Sequence, residues 1–381
     1  MSHERAEQSP TELDVLISGG SMGGLATGIA LADLGHSPTI YERSTGELKS
    51  RGGGIVAQQN IRRFLTQHTS VQPESITTSS SERRYLTASG GLERSVSEEM
   101  VFTSWDALYR QLRDAVPAER YRMGEEVVGV TTESATAAFE DGRERSADLL
   151  IVAEGGQSST RNQLFPGTAP SFADYVAWRG VIPESSLPSA VRDEFDETFT
   201  FYQGTDQLVL AYFIPGPDGS TTPGERRLNW VWYDTVNGDD RRDIFTDTTG
   251  TERRVTVPPG RLRDPIRASQ RERAAALPPV FETVVAETPE LFVQAIYDLS
   301  VPEMVVDRVC LLGDSAFVAR PHTAAGTAKA VGDAVTLAGA LSDHESVDQA
   351  LTSWNQTRRA YGTRLVSRGK RMGDERLHLG S

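Results

Sequence analysis

Leu13-Asp14-Val15-Leu16-Ile17-Ser18-Gly19-Gly20-Ser21-Met22-Gly23-Gly24 decides the fold of this chain. Its first six residues form a short apolar run of the kind found in strands buried on both faces. The run ends in glycines. From there Leu25, Ile29, Ala30 and Leu34 recur at helical spacing, and Gly35 supplies a C-terminal stop. Pro38-Thr39-Ile40-Tyr41-Glu42 then predicts a second strand. Strand, glycine turn, helix, strand is a parallel crossover unit. The turn reads Gly19-x-Ser21-x-x-Gly24, with Ser21 where G-x-G-x-x-G has its middle glycine. Small residues there let the backbone approach a pyrophosphate, and the helix N-terminus offers it N–H groups and partial positive charge. Glu42 follows Gly19 by 23 positions. That is close to the spacing of about 20 residues expected for a carboxylate that holds a ribose hydroxyl.

Composition bounds what surrounds this unit. A chain of 381 residues suits two packed domains, and 38% apolar with 24% charged residues provides an ordinary globular core. No apolar run is long enough to span a membrane. Met1–Pro10 is polar and lacks the build of a signal peptide, so it is expected to be a frayed tail on a cytoplasmic protein. The single cysteine, Cys310, excludes an internal disulfide and a Cys-based zinc site, and no metal-ligand cluster stands out. A net charge of −14 argues against nucleic acid and anionic membranes as partners. Only Lys49, Lys329 and Lys370 are lysines. Scarce lysine with surplus acid suggests a salt-adapted surface, and an arginine-favouring codon bias remains the alternative. A homodimer stays open.

Two further strand ends carry candidate chemistry. Asp148–Ala153 predicts a strand ending in Glu154-Gly155-Gly156, and Val305–Leu312 one ending in Gly313-Asp314. A carboxylate at a strand end can take a hydroxyl from a sugar or ribityl chain. After Pro321 the segment turns rich in Ala and Gly, which lets a flat ring approach a helix N-terminus. That dipole would stabilise negative charge on a reduced flavin. His322 lies beside it, and a neutral imidazole could accept a substrate proton. Helices are predicted over Trp105–Val116, about 324–341 and about 347–372. Residues 75–101 and 172–235 alternate apolar and polar, which predicts an antiparallel sheet with one face buried. Residues 215–225 and 234–265 read as loops. The fold class is therefore α/β, interrupted by a β-sheet domain. The aromatic strands around Trp178, Trp230, Trp232 and Tyr233 are the expected substrate wall.

These motifs, in this order, resemble the class A FAD-dependent aromatic hydroxylases, a family of flavoprotein monooxygenases. Within it the resemblance is strongest to the dihydroxypyridine hydroxylase branch. It rests on the Gly19-Gly20-Ser21 turn, Gly53-Gly54-Ile55-Val56-x-Gln58, Thr103-Ser104-Trp105-Asp106-x-Leu108-Tyr109, Tyr175–Gly180, Asn229–Tyr233 and Gly313–Thr323. It covers nearly the whole chain. It implies a Rossmann-like FAD-binding domain (1–74, 102–170 and 295–381), an antiparallel β-sheet substrate domain (75–101 and 171–294) and C-terminal helices. It implies that NADH or NADPH reduces the FAD and that O₂ then forms a flavin hydroperoxide, which hydroxylates a small phenol or hydroxypyridine.

Carried over by position, Gly19, Gly20, Ser21, Met22 and Gly24 would cradle the pyrophosphate. Glu42 would hold the ribose with Arg43 beside it, and Arg51, Gln58 and Trp105 would lie near the cofactor. Asp314 would meet the ribityl chain, and Gly326, Thr327 and Ala328 the ring. Pro321 would touch substrate, and His322 would act on it. Several positions depart from the family pattern. Glu154 stands for the usual Asp, Phe317 for His, and Ala324 and Ala328 for Gly and Asn. A flavin-dependent oxidase or dehydrogenase, and a non-catalytic flavin-binding sensor, are the competing readings of the same scaffold.

Overall fold

The computed structural model describes residues 12–46, 48 and 53–377. The strand Asp14–Ser18 is central because Val15, Leu16 and Ile17 have no polar face to show to water; all three are fully buried. It pairs in parallel with Ser37–Glu42 on one side and Leu149–Val152 on the other. Helix Met22–Ala32 makes the crossover between the first two strands. Tyr121–Met123 extends the sheet beyond Ser37–Glu42, while Val309–Leu311 and Val305–Val306 extend it beyond Leu149–Val152. The expected single strand Val305–Leu312 is thus a hairpin. Asp307 takes the left-handed conformation at φ +50° and folds Val306 back onto Val309.

The second sheet has ten strands among the described residues. Its centre is Ser171–Pro183, Arg227–Thr235 and Gln207–Ile214, joined antiparallel. It is mixed rather than antiparallel throughout, since Thr198–Gly204 runs parallel to Thr78–Leu86. Both faces are buried, against the expected single buried face. Trp178, Trp230 and Trp232 point to one side, where helices Ser189–Phe195 and Pro279–Glu287 cover them. Tyr175, Tyr212 and Tyr233 point to the other. The alternation is intact, but residues on both faces are apolar or aromatic. Within the expected loop 234–265 the chain forms helix Gly238–Phe245 and the short strand Thr256–Val257.

Two of the expected domain boundaries fall inside strands of the second sheet. Strand Leu92–Ser104 runs through the seam at 101/102 and Phe292–Ser300 through that at 294/295. Gly54–Val56 pairs in the second sheet. Helices Gly326–Asp343 and Val347–Leu377 start within a few residues of the predicted positions, and the second extends further. No helix among the described residues is long and apolar enough to cross a membrane.

Candidate active site

The glycine turn is built by close approach. A Cβ on Gly24 would sit 1.9 Å from the Gly19 carbonyl oxygen, so helix and strand can cross only with glycine there. A Cβ on Gly20 would sit 2.3 Å from the Tyr121 hydroxyl oxygen. That hydroxyl donates to the Gly20 carbonyl at 2.9 Å, and the Gly20 N–H donates to Glu42 Oε2 at 2.9 Å. The other Glu42 oxygen accepts from the Ser44 N–H at 2.9 Å. Ser21 is the N-cap of the helix, yet its side chain makes no capping bond. Helix geometry then leaves the first-turn N–H groups to a ligand.

Beside the turn lies a cavity of about 230 Å³ lined by Gly19, Gly20, Ser21, Glu42 and Arg43. Arg43 is largely exposed, 3.8 Å from Glu126. The Met22 side chain is buried in the core, so only its backbone faces the turn. Arg51 lies outside the described residues.

Glu154 has become a clamp. It accepts from Ser18 Oγ (2.8 Å), Ser158 Oγ (2.6 Å) and Thr160 Oγ1 (2.6 Å), tying the end of the first strand to helix Ser159–Leu164. The adjacent Gly155 N–H donates to Ser315 Oγ at 3.0 Å, which joins this turn to the Gly313-Asp314 motif. Gly313 in turn donates its N–H to Asp333 Oδ2 at 3.0 Å, and Asp333 is paired with Arg358. Burial pushes the Asp333 carboxyl up, and Arg358 opposes that shift.

A second cavity, about 500 Å³, opens between the two sheets and borders the first at Gln157. Asp314, Pro321, His322, Gly326 and Thr327 line one side. Arg320 anchors this loop: it pairs with Asp298 at 3.0 Å and Asp374 at 2.6 Å. Ala324 is left-handed at φ +51°, and Gln58 Nε2 donates to its carbonyl at 2.7 Å. Tyr212, Tyr233, Arg179 and Gln294 line the opposite side. Arg179 Nη1 donates to Gln294 Oε1 at 2.8 Å, while its Nε has no partner. Burial pushes the Tyr233 phenol up to about 12 against the pull of Arg179 and Arg376.

His322 sits among these rings. Its Nε2 is 3.0 Å from the Tyr175 hydroxyl, and Tyr233 lies 4.5 Å away between ring centres. Burial, with repulsion from Arg376 and Arg320, lowers its pKa to about 3. Its Nδ1 is buried without a partner.

The structure therefore brings His322, Pro321, Asp314, Gly326 and Thr327 to one cavity and Gly19, Gly20, Ser21, Glu42 and Arg43 to the other. Met22, Gly24, Gln58, Trp105 and Ala328 line neither; Trp105 stacks on Tyr109 instead. Of the aromatic strands expected to form the substrate wall, Tyr233 faces the cavity, while Trp178, Trp230 and Trp232 occupy the far face of the sheet. Tyr175, Tyr212, Arg179 and Gln294 were not singled out as site residues. Arg179 had a signal: a cation inside an otherwise apolar, aromatic strand.

A family model described as FAD binding domain-like matches residues 172–298. The 2,6-dihydroxypyridine 3-monooxygenase of Paenarthrobacter nicotinovorans is 34% identical over 98% of this chain and 94% of its own length. The chain belongs to the FAD-dependent aromatic hydroxylases. The solved 2,6-dihydroxypyridine-3-hydroxylase from Arthrobacter nicotinovorans superposes on this hydroxylase with a TM-score of 0.92 at 33% identity, covering 98% of this chain and 94% of the other. Klebsiella pneumoniae HpxO, solved with FAD and uric acid, shares the fold at TM-score 0.80 and 20% identity, covering 97% and 90%. The residues of this hydroxylase fit FAD: a glycine turn at an uncapped helix N-terminus, a carboxylate at the end of the second strand beside it, and an extended pair of cavities bordering at Gln157.

Proposed function

We propose that this chain uses NAD(P)H and O₂ to hydroxylate a small electron-rich ring, a phenol or hydroxypyridine. One observation carries the reading: a cavity of about 500 Å³ brings the small-residue helix start at Gly326 together with aromatic residues and the polar groups of His322, Tyr233 and Arg179. FAD, when bound, supplies the electron transfer from NAD(P)H and the activation of O₂. The residues 1–74, 102–170 and 295–381 hold the cofactor, and the ring lies between them and 75–101 with 171–294. The first-turn N–H groups at Met22–Gly24 bind the pyrophosphate. Glu42 takes the ribose, and Asp314 takes the ribityl chain.

His322 works as a neutral hydrogen-bonding group at the cavity wall, not as a proton acceptor: burial holds its pKa far below neutral, its Nε2 is engaged with the Tyr175 hydroxyl, and its Nδ1 is buried. Arg179 lies where negative charge can gather on a ring oxygen. The aromatic wall excludes water and fixes the ring plane.

The test uses the purified holoenzyme. NADH and NADPH oxidation is followed with a panel of phenols and hydroxypyridines, 2,6-dihydroxypyridine included because it is named in two relatives. Ring-stimulated NAD(P)H use with a hydroxylated product is the expected result. Turnover of the ring without nicotinamide would show an oxidase or dehydrogenase instead. Bound FAD without any turnover of the panel would favour a sensor.

A further inference from the structure

Lys329 is one of three lysines in a chain that otherwise uses arginine, and its side chain is 1% exposed. It lies in the first turn of helix Gly326–Asp343. Its Nζ is 2.9 Å from Asp314 Oδ1 and also donates to the Phe317 carbonyl. A buried ammonium is stable only when paired and hydrogen-bonded, so this lysine is committed to the Gly313-Asp314 turn. The same turn has a second ionic support in Asp333 and Arg358, and the two differ in outlook. Asp333 is closed into the core and holds backbone. Asp314 is half exposed and opens on the large cavity.

Charge makes the difference matter. An unpaired carboxylate beside a flavin disfavours its reduced, more negative form, whereas a carboxylate neutralised from behind can still accept sugar hydroxyls. A guanidinium would be too wide and too planar to fit between one carboxylate oxygen and one carbonyl in the first helical turn, and a compact ammonium fits.

We propose that Lys329 is a positioning residue for FAD: it aims Asp314 at the cofactor's sugar chain and cancels its charge there, so that the reduced cofactor is retained. This rests on the FAD-dependent reading above. Because Asp314 stays solvated on its open side, losing Lys329 leaves a half-exposed carboxylate rather than a buried charge, and the fold should survive.

The experiment measures the FAD midpoint potential and the dissociation constants of oxidised FAD for wild type, Lys329→Met, and Lys329→Met combined with Asp314→Asn. In Lys329→Met the reduced cofactor should lose about tenfold in affinity relative to the oxidised one, a fall of about 30 mV for a two-electron couple. The double variant removes both charges and should return toward the wild-type potential. An unchanged potential in FAD-saturated Lys329→Met, or a double variant as low as the single one, would overturn the proposal in favour of a packing role. Should Lys329→Met not fold, Lys329→Gln with and without Asp314→Asn gives the same comparison. Wild-type protein that takes up no FAD would instead overturn the FAD-dependent reading itself.

Discussion

The two cavities of this hydroxylase are made from different materials. The smaller is bordered by the glycine backbone at Gly19, Gly20 and Gly155, with the acidic residues Glu42, Glu125, Glu126 and Glu154 around it. The larger is lined by side chains drawn from well-separated stretches of chain, among them Tyr212, Tyr233, Arg179 and His322. On the function proposed above, the first cavity takes the cofactor and the second the substrate; backbone geometry is set by where glycine is required, whereas side chains can be exchanged without moving the backbone. The difference teaches that cofactor and substrate specificity lie on separate structural levels of one fold, which can be perturbed separately.

The largest effect is expected at the backbone-built site. Ser21 lines the smaller cavity from the N-cap position, with its side chain free of any capping duty. Ser21→Arg places a long cation at the glycine turn that borders a space of about 230 Å³. FAD retention should be abolished while the protein still folds, since no cap is lost. The flavin absorbance of purified protein checks this. Normal flavin content would mean that the pyrophosphate does not run across this turn.

The same contrast explains what was legible in the sequence. The crossover unit could be read from Leu13–Glu42 because its signal is local: an apolar run, glycines at fixed spacing, a helical period and a closing acid. The Gly313-Asp314 and Pro321–Thr327 segments were legible for the same reason. The ring cavity was not, because Tyr212, Tyr233 and Arg179 become neighbours only through strand pairing, such as Ala177 against Tyr233. The alternation placed Trp178 opposite Arg179 and Trp232 opposite Tyr233, but nothing local says which face receives a ligand. Trp178, Trp230 and Trp232 lie on the face that helices Ser189–Phe195 and Pro279–Glu287 cover. Glu154 likewise keeps its place in the internal motif, and only its four hydroxyl and amide donors show that it is a clamp.

A smaller effect is expected in the side-chain-built cavity, and it depends on pH. His322 has a folded pKa of about 3, against 6.5 for an ordinary histidine. Between those values the unfolded chain binds a proton that the folded one refuses. The stabilising contribution of a neutral His322 is therefore complete above about pH 6.5 and is lost as pH falls toward 3, at up to about 1.4 kcal/mol per pH unit. Denaturant unfolding of wild type and His322→Gln from pH 7 to pH 4 measures it, and the difference in stability between the two should move in favour of the variant as pH falls. A constant difference would mean that His322 titrates alike in the folded and unfolded chains, so that burial does not hold it neutral as pH falls.

The smallest effect tests where the two materials meet. Ala324 belongs to the loop that carries His322, but its left-handed φ of +51° is a backbone demand of the kind glycine meets. A non-glycine residue in that conformation costs about 1–2 kcal/mol. Glycine relieves that strain, yet it loses about 0.5–1 kcal/mol more than alanine through its freer unfolded chain. Ala324→Gly should therefore stabilise the protein by no more than about 1 kcal/mol, read from the midpoint of denaturant unfolding. Gln58 holds the Ala324 carbonyl at 2.7 Å whichever residue is present, so the loop keeps its course. A clear loss of stability would show that the Ala324 methyl group, and not the backbone alone, packs this rim of the ring cavity. The side-chain-built character would then extend up to the helix start at Gly326.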